Sequence, residues 1–123
     1  MLEISGLCKS FGGLQASQSV TLTVPRGGIT SLIGPNGAGK TTLFALITGF
    51  HRPDSGSVRF LGEDITGLPP EAIAQRGMIR TFQTVQPFAG QTVRENIAVG
   101  AHLKIRGRAE ALAKAEAVAG QVG

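Results

Sequence analysis

Apolar residues along the chain fall into short runs that glycine and proline separate. Runs that alternate with polar positions, or that stay mostly apolar between turn residues, are typical of β-strands. The run ITSLI at residues 29–33 has glycine on both sides, as expected of a buried strand. The pattern predicts strands at residues 2–7, 19–24, 29–33, 57–61 and 78–82.

Other parts of the chain have the spacing of apolar residues that helices require. Leucine and isoleucine recur at helical intervals in residues 41–50, and a short helix with proline near its start and glycine after its end is predicted at residues 70–76. The sequence TVRE that begins at Thr92 is typical of a capping box, in which Thr92 and Glu95 satisfy each other's backbone N–H groups. It predicts the start of an alanine-rich helical region that continues to the end of the chain.

Length and composition limit the class of protein. The chain has 123 residues, enough for one domain with a buried core. No apolar run approaches the ~20 residues that span a bilayer, and the first residues lack the basic and apolar stretches of a secretory signal. The only cysteine, Cys8, excludes an internal disulfide and suits a reducing compartment. These features predict a soluble protein of the cytosol.

The charge balance is basic, with a net charge of +4 and an isoelectric point near 10.0. Such a balance suits an anionic partner, but the basic residues are spread along the chain, and only Lys104, Arg106 and Arg108 cluster. Tryptophan and tyrosine are absent, and no aromatic residue is interleaved with this cluster to stack on bases. We therefore expect a solvated surface here and no nucleic-acid partner.

The sequence GPNGAGKTT at residues 34–42 carries the strongest chemical signal. Its first eight residues match the phosphate-loop motif G-x-x-x-x-G-K-[ST] at every position. Glycines let the backbone approach a phosphate, and the N-terminus of the following helix attracts the anion. Lys40 would reach the β- and γ-phosphates, and the Thr41 hydroxyl would hold Mg²⁺. The predicted nucleotide-binding residues of the loop are Gly34, Asn36, Gly37, Ala38, Gly39, Lys40, Thr41 and Thr42.

Taken alone, the loop predicts a nucleoside triphosphate with Mg²⁺ and leaves kinase, switch GTPase and ATPase open. Further motifs narrow the choice, because SFGG at residues 10–13, the phosphate loop, PDSGSV at 53–58 and RTFQ at 80–83 occur in the order found in the ATP-binding subunit of ABC transporters. The chain resembles that family over residues 2–103. The stretches FGGL, LITGF, IRTFQ and TVRENIAVG are most similar to importers of branched-chain amino acids and related polar solutes.

The resemblance implies a fold and a division of the chain. The fold is α/β: a P-loop NTPase (the ABC ATPase, with a RecA-like core) that carries an N-terminal antiparallel β subdomain. Residues 1–91 would form the β subdomain and the core as far as the Q-loop, and residues 92–123 would begin a helical subdomain. The family's signature sequence, the apolar strand that ends in Asp-Glu and the later histidine have no counterpart in the 123 residues. We therefore expect the N-terminal portion of such a subunit.

The resemblance also implies roles for particular residues. Phe11 corresponds to the aromatic residue that stacks on adenine, and Gln83 to the Q-loop glutamine that contacts Mg²⁺ or the attacking water. Lys40 and Gln83 would then act in catalysis, and Thr41 and Gln83 at the metal. The implied cofactors are ATP and Mg²⁺. The implied partners are a transmembrane permease subunit, facing residues 84–91, and a second ATP-binding subunit, at the cytoplasmic face of the plasma membrane.

Other functions remain open at this point. A small-molecule kinase would need a phosphoryl-acceptor site, and a nucleic-acid ATPase would need a basic face with aromatic residues; neither is marked in the sequence. An ATP-binding module without turnover fits the chain as it stands, as does the subunit of an ABC transporter for a different solute. Hydrolysis by the 123 residues alone is not expected to be effective.

Overall fold

The computed structural model describes all 123 residues, which form two compact units, Met1–Arg80 and Thr81–Gly123. None of the helices combines the length and the hydropathy that a membrane span requires. The first unit contains β1 (Leu2–Phe11), β2 (Leu14–Val24), α1 (Lys40–Ile47), β3 (Ser55–Phe60), β4 (Glu63–Asp64) and α2 (Pro70–Gln75). The second unit contains α3 (Val93–Ala101) and α4 (Arg108–Val122).

The four strands of the first unit form one antiparallel sheet in the order β2-β1-β3-β4. A two-residue turn joins β1 to β2, since Phe11 pairs with Leu14 across it. This sheet confirms the antiparallel β subdomain. Both hairpin strands extend further toward the turn than the apolar pattern predicts. Backbone pairing continues there through residues with exposed side chains, such as Ser10 and Gln15, which the apolar pattern does not mark.

The core of the first unit lies between this sheet and α1. Ile4 and Leu7 of β1 and Val58 of β3 are almost fully buried, together with Leu46 of α1 and Ile73 of α2. Full burial of one such side chain contributes roughly 1.5–3 kcal/mol of hydrophobic free energy. The apolar spacing that predicts a helix at residues 41–50 is therefore confirmed in α1, where that spacing supplies the buried face.

Two of the predicted strands, at residues 29–33 and 78–82, are wrong. Neither segment is paired with any strand among the described residues, and both contain strongly exposed apolar side chains. Ile29 is 99% exposed, Ile33 is 92% exposed and Ile79 is 77% exposed. A strand requires a neighbour for its N–H and C=O groups, so apolar sequence alone does not produce one.

The second unit is a helical pair whose first helix begins at the predicted capping box. The Thr92 hydroxyl accepts a hydrogen bond from the Glu95 N–H at 3.2 Å, and Glu95 Oε2 accepts one from the Thr92 N–H at 2.9 Å. The predicted helical region is interrupted between Ala101 and Arg108, so two helices replace one. Ala98, Ala111 and Ala115 form the core between α3 and α4, where small side chains allow the helices to approach closely.

Candidate nucleotide-binding site

The phosphate loop occupies residues 34–39 and leads directly into α1, which begins at Lys40. Gly37 and Gly39 have φ angles of 84° and 88°, in the left-handed region. Gly39 is the N-cap residue of α1 and has no side chain, so no side-chain oxygen caps the helix. The first turn of α1 also lacks an acidic residue. Its N–H groups and the positive end of its dipole are consequently available to an anion.

Lys40 is held across the loop by backbone carbonyl groups. Its Nζ donates hydrogen bonds to the carbonyl oxygens of Gly34 at 2.5 Å and Pro35 at 2.6 Å. Both acceptors are neutral, whereas phosphate oxygens carry negative charge and would attract the ammonium more strongly. The loop therefore keeps a cation in place beside the free N–H groups of the helix, as a phosphate-binding site requires.

The β1–β2 hairpin packs against the phosphate loop at Gly39. A Cβ atom built at Gly39 would overlap the carbonyl oxygen of Ala16 in β2. Ala16 follows Gln15, which pairs with Ser10 of β1, the residue before Phe11. The close contact at Gly39 thus brings the end of the hairpin that carries Phe11 to the same part of the unit as the loop.

Phe11 is partly exposed and has polar neighbours. Its side chain is 42% exposed, the Lys9 Nζ lies over the ring at 5.3 Å from the centroid, and the ring of His51 meets it edge-on with the centroids 5.1 Å apart. Lys9 also forms an ion pair with Asp54 at 3.0 Å. The Ser10 N–H donates to the other oxygen of that carboxylate at 2.7 Å, and this bond, followed by the one from Lys9, lowers the pKa of Asp54.

The remaining residues of the loop lie at the surface or at the start of α1. Asn36 and Ala38 are exposed, and Thr41 and Thr42 lie in the first turn of α1. The described residues contain no group of three or more His, Cys, Asp or Glu side chains able to hold a metal. A threonine hydroxyl and phosphate oxygens are ligands of the kind that Mg²⁺ commonly accepts.

Gln83 and the loop that follows it belong to the second unit. Gln83 is exposed on an irregular segment, and its role at the nucleotide stays a prediction. In residues 84–91, Val85 is 80% exposed and Phe88 is 56% exposed. Asn96 holds this loop to α3: its side-chain oxygen accepts from the Phe88 N–H at 2.8 Å, and its amide nitrogen donates to the Phe88 carbonyl at 3.2 Å.

Sequence reasoning missed both His51 and Asn96. Asn96 follows Thr92 by four residues and is accordingly placed one turn into a capped helix, where its side chain can reach back to the preceding loop. That spacing is the only signal in the sequence for its role. His51 contacts Phe11 across 40 positions of the chain, a contact that only the fold brings about.

Comparison with known proteins gives the family. A sequence model of the ABC transporter family matches residues 17–123, and the chain belongs to this family. It is 50% identical over 102 residues to the high-affinity branched-chain amino acid transport ATP-binding protein BraF of Pseudomonas aeruginosa, which covers 83% of this chain and 40% of BraF. It is 44% identical over 106 residues to the corresponding protein LivG of Escherichia coli, covering 86% of this chain and 42% of LivG.

Solved structures agree with this assignment. The ADP conformation of MJ1267, an ATP-binding cassette of an ABC transporter, superposes on 91% of this chain with a TM-score of 0.77 at 39% sequence identity, and the match covers 44% of that cassette. The fold is thus that of part of an ABC ATPase, a P-loop NTPase, as predicted. The chain spans about two-fifths of the length of the relatives that it matches.

Proposed function

We propose that the chain is the ATP-binding part of an ABC transporter subunit that couples ATP hydrolysis to the import of branched-chain or other amino acids. The observation that carries the nucleotide-binding part is the phosphate loop, where Lys40 lies beside the uncapped N-terminus of α1. The names of the relatives, which are branched-chain amino acid transport ATP-binding proteins, support the solute class. A transporter of a different solute is the alternative.

Each part of the nucleotide has a proposed set of residues. The N–H groups of residues 36–42 and the Lys40 ammonium would bind the phosphates, and Phe11 would stack on the adenine. Mg²⁺, when bound, would neutralise phosphate charge, with the Thr41 hydroxyl and Gln83 as its protein partners. Gln83 would also orient a water molecule in the complete subunit.

The binding site is tested with Lys40→Ala in the 123-residue chain. We expect ATP with Mg²⁺ to raise the free energy of unfolding of the unmodified chain by about 2.7 kcal/mol at 100 times Kd, and to raise it much less in the variant. The reason is that loop N–H groups cannot replace a fixed cation at the β- and γ-phosphates. Thermal unfolding of the two proteins, with and without ATP, measures the gain in stability of each.

The matched control is Lys104→Ala, which removes an exposed lysine from the second unit. This variant should respond to ATP like the unmodified chain. A cooperatively unfolding chain that gains no stability from ATP would contradict the proposed function. A larger gain from GTP than from ATP would count against the role of Phe11.

We further propose that the loop at residues 84–91 docks on a transmembrane permease subunit, at the cytoplasmic face of the membrane, with a second ATP-binding subunit in the assembly. Support comes from the exposed side chains of Val85 and Phe88, which the hydrogen bonds to Asn96 keep in a fixed loop. Exposed apolar side chains in one patch are typical of interaction sites.

The docking site can be tested by cysteine crosslinking in the full-length subunit assembled with its membrane partner. In a background with Cys8→Ser, the variants Thr84→Cys and Gln86→Cys should crosslink to the membrane subunit. Ser55→Cys, at the start of β3, is the control and should not. Crosslinks from Ser55→Cys alone would reject the loop as the docking site.

A further inference from the structure

The ring of Phe11 is held from outside its own hairpin by His51. The two ring centroids are 5.1 Å apart and the planes meet at 70°, an edge-to-face geometry that is favourable between aromatic rings. His51 is anchored by its backbone, because its N–H and that of Phe50 both bond to the carbonyl oxygen of Ala45 in α1, at 3.1 Å and 2.9 Å. The position of His51 is thus fixed by the C-terminal end of α1.

A charged pair holds the same ring from β1. Lys9 Nζ lies over the ring, and its ion pair with Asp54 keeps it there. Asp54 is fixed in turn by the Ser10 N–H, while its own N–H bonds to the Cys8 carbonyl at 2.9 Å. Phe11 thus has the Lys9 ammonium over its ring and the His51 ring packed against it at a steep angle, and the residue is still 42% exposed, which leaves area for a flat ligand.

One of these supports, His51, is linked to the helix that begins at the phosphate site. Helix α1 begins at Lys40 in the phosphate loop, and the residues that follow its end carry His51. The distance between the phosphate loop and His51 is consequently set by one rigid helix. A group that binds both the loop and the ring would meet two sites whose separation is fixed before it arrives.

We propose that His51 is a positioning residue for the nucleobase. It holds the Phe11 ring in an orientation in which a purine of a nucleoside triphosphate can stack, and it connects that ring to the helix of the phosphate loop. This inference rests on the proposed ATP-binding function and adds a residue that touches Phe11 without touching the phosphates. Preorganised aromatic rings bind with less loss of conformational entropy, so loss of His51 weakens binding through the base alone.

The test compares ATP with inorganic tripolyphosphate, which has the phosphates and lacks the base. Binding of each, with Mg²⁺, is measured by calorimetry for the 123-residue chain and its variants. We expect His51→Ala to weaken ATP about three- to tenfold, the size of one aromatic pair, and to leave tripolyphosphate unchanged. His51→Phe keeps a ring edge against Phe11 and should restore ATP affinity. His102→Ala, the same change at the other histidine, should alter neither ligand.

The outcomes distinguish a positioning role of His51 from a general structural role. Equal weakening of ATP and tripolyphosphate by His51→Ala would show a general structural role and overturn the inference. Unchanged affinity for ATP would overturn it as well. If His51→Ala does not fold, His51→Gln, which also removes the ring, carries the same comparison. Failure of the unmodified chain to bind ATP would instead reject the proposed function. Binding of ATP that Lys40→Ala loses and His51→Ala retains in full would reject only this inference.

Discussion

Gly39 is the residue on which the arrangement of the candidate site depends most directly. It has a φ angle of 88°, where residues with a Cβ are strained, and the position of its missing Cβ is taken by the carbonyl oxygen of Ala16. The phosphate-loop motif requires glycine at this position for the approach of a phosphate. The structure adds a second reason, because the same glycine allows the β1–β2 hairpin to pack on the loop.

We expect Gly39→Ala to lower the free energy of unfolding by about 2 kcal/mol or more, from the left-handed conformation and the overlap with Ala16 together. Gly13→Ala is the matched control on the same hairpin, since a Cβ there meets no atom within 4 Å. That change should leave stability unchanged or raise it by up to about 1 kcal/mol. Urea unfolding of both variants measures the difference. Equal effects would show that the hairpin does not rest on Gly39.

At the scale of single residues, the sequence predicts those sites whose chemistry is local. The phosphate loop is contiguous, so its motif places the glycines, Lys40 and Thr41 correctly at the start of a helix. The surroundings of Phe11 are assembled from β1 and from the segments on either side of Pro53, and only tertiary structure brings Lys9, His51 and Asp54 to one ring. Such contacts leave no periodic pattern in the sequence.

At the scale of elements, prediction succeeded where a segment satisfies its own backbone or pairs with another strand of the sheet. Helix α1 and the antiparallel strands are of this kind, and so is the capping box. The failures at residues 29–33 and 78–82 are apolar segments whose strand character depends on a partner strand, and none of the described residues supplies one. Hydrophobicity predicts that such a segment is suited to burial, but hydrogen-bonded pairing decides whether it is a strand.

The capping box makes the start of α3 sensitive to acid. The pKa of Glu95 is lowered by the Thr92 backbone N–H first, then by the Thr92 hydroxyl and by the Arg108 guanidinium. Because the pKa is lower in the folded state than in the unfolded chain, this contribution is fully present above the unfolded pKa of about 4.3. It is lost as the pH falls through the lower, folded value. We expect the first turn of α3 to loosen on acidification.

Cα chemical shifts of α3, recorded from about pH 6 to about pH 3, measure this loss. In the unmodified chain the shifts of the first turn should move toward random-coil values at the acid end. In Glu95→Gln this pH dependence should be weaker, since the amide cannot be protonated in that range. Glu110→Gln, in the first turn of α4, is the control and should leave the titration of α3 unchanged. A titration that is the same in all three proteins would contradict the assignment to Glu95.

At the scale of the whole molecule, the binding of ATP and its hydrolysis make different demands. Binding requires an anion site and a platform for the base, the roles that we propose for the phosphate loop with α1 and for Phe11 on the β1–β2 hairpin. Phosphoryl transfer to water further requires groups that position the water and stabilise charge around the γ-phosphate. Among the acidic residues of the first unit, three are already engaged in other contacts: Asp54 with Lys9, Glu63 with Arg76, and Asp64 with Thr66.

We therefore expect the 123-residue chain to hold ATP without repeated turnover. Loss of a single general acid or base commonly lowers a rate by about 10²–10⁴, so phosphate release should match that of Lys40→Ala under saturating ATP and Mg²⁺. A colorimetric assay measures phosphate release from both proteins, for long enough to detect many phosphates per protein molecule. If the unmodified chain turns over repeatedly and Lys40→Ala does not, a catalytic carboxylate is present. Glu63→Gln and Asp64→Asn would then be the first variants to measure. These two exposed carboxylates are adjacent on β4, where their hydrogen-bond partners are Arg76 and Thr66.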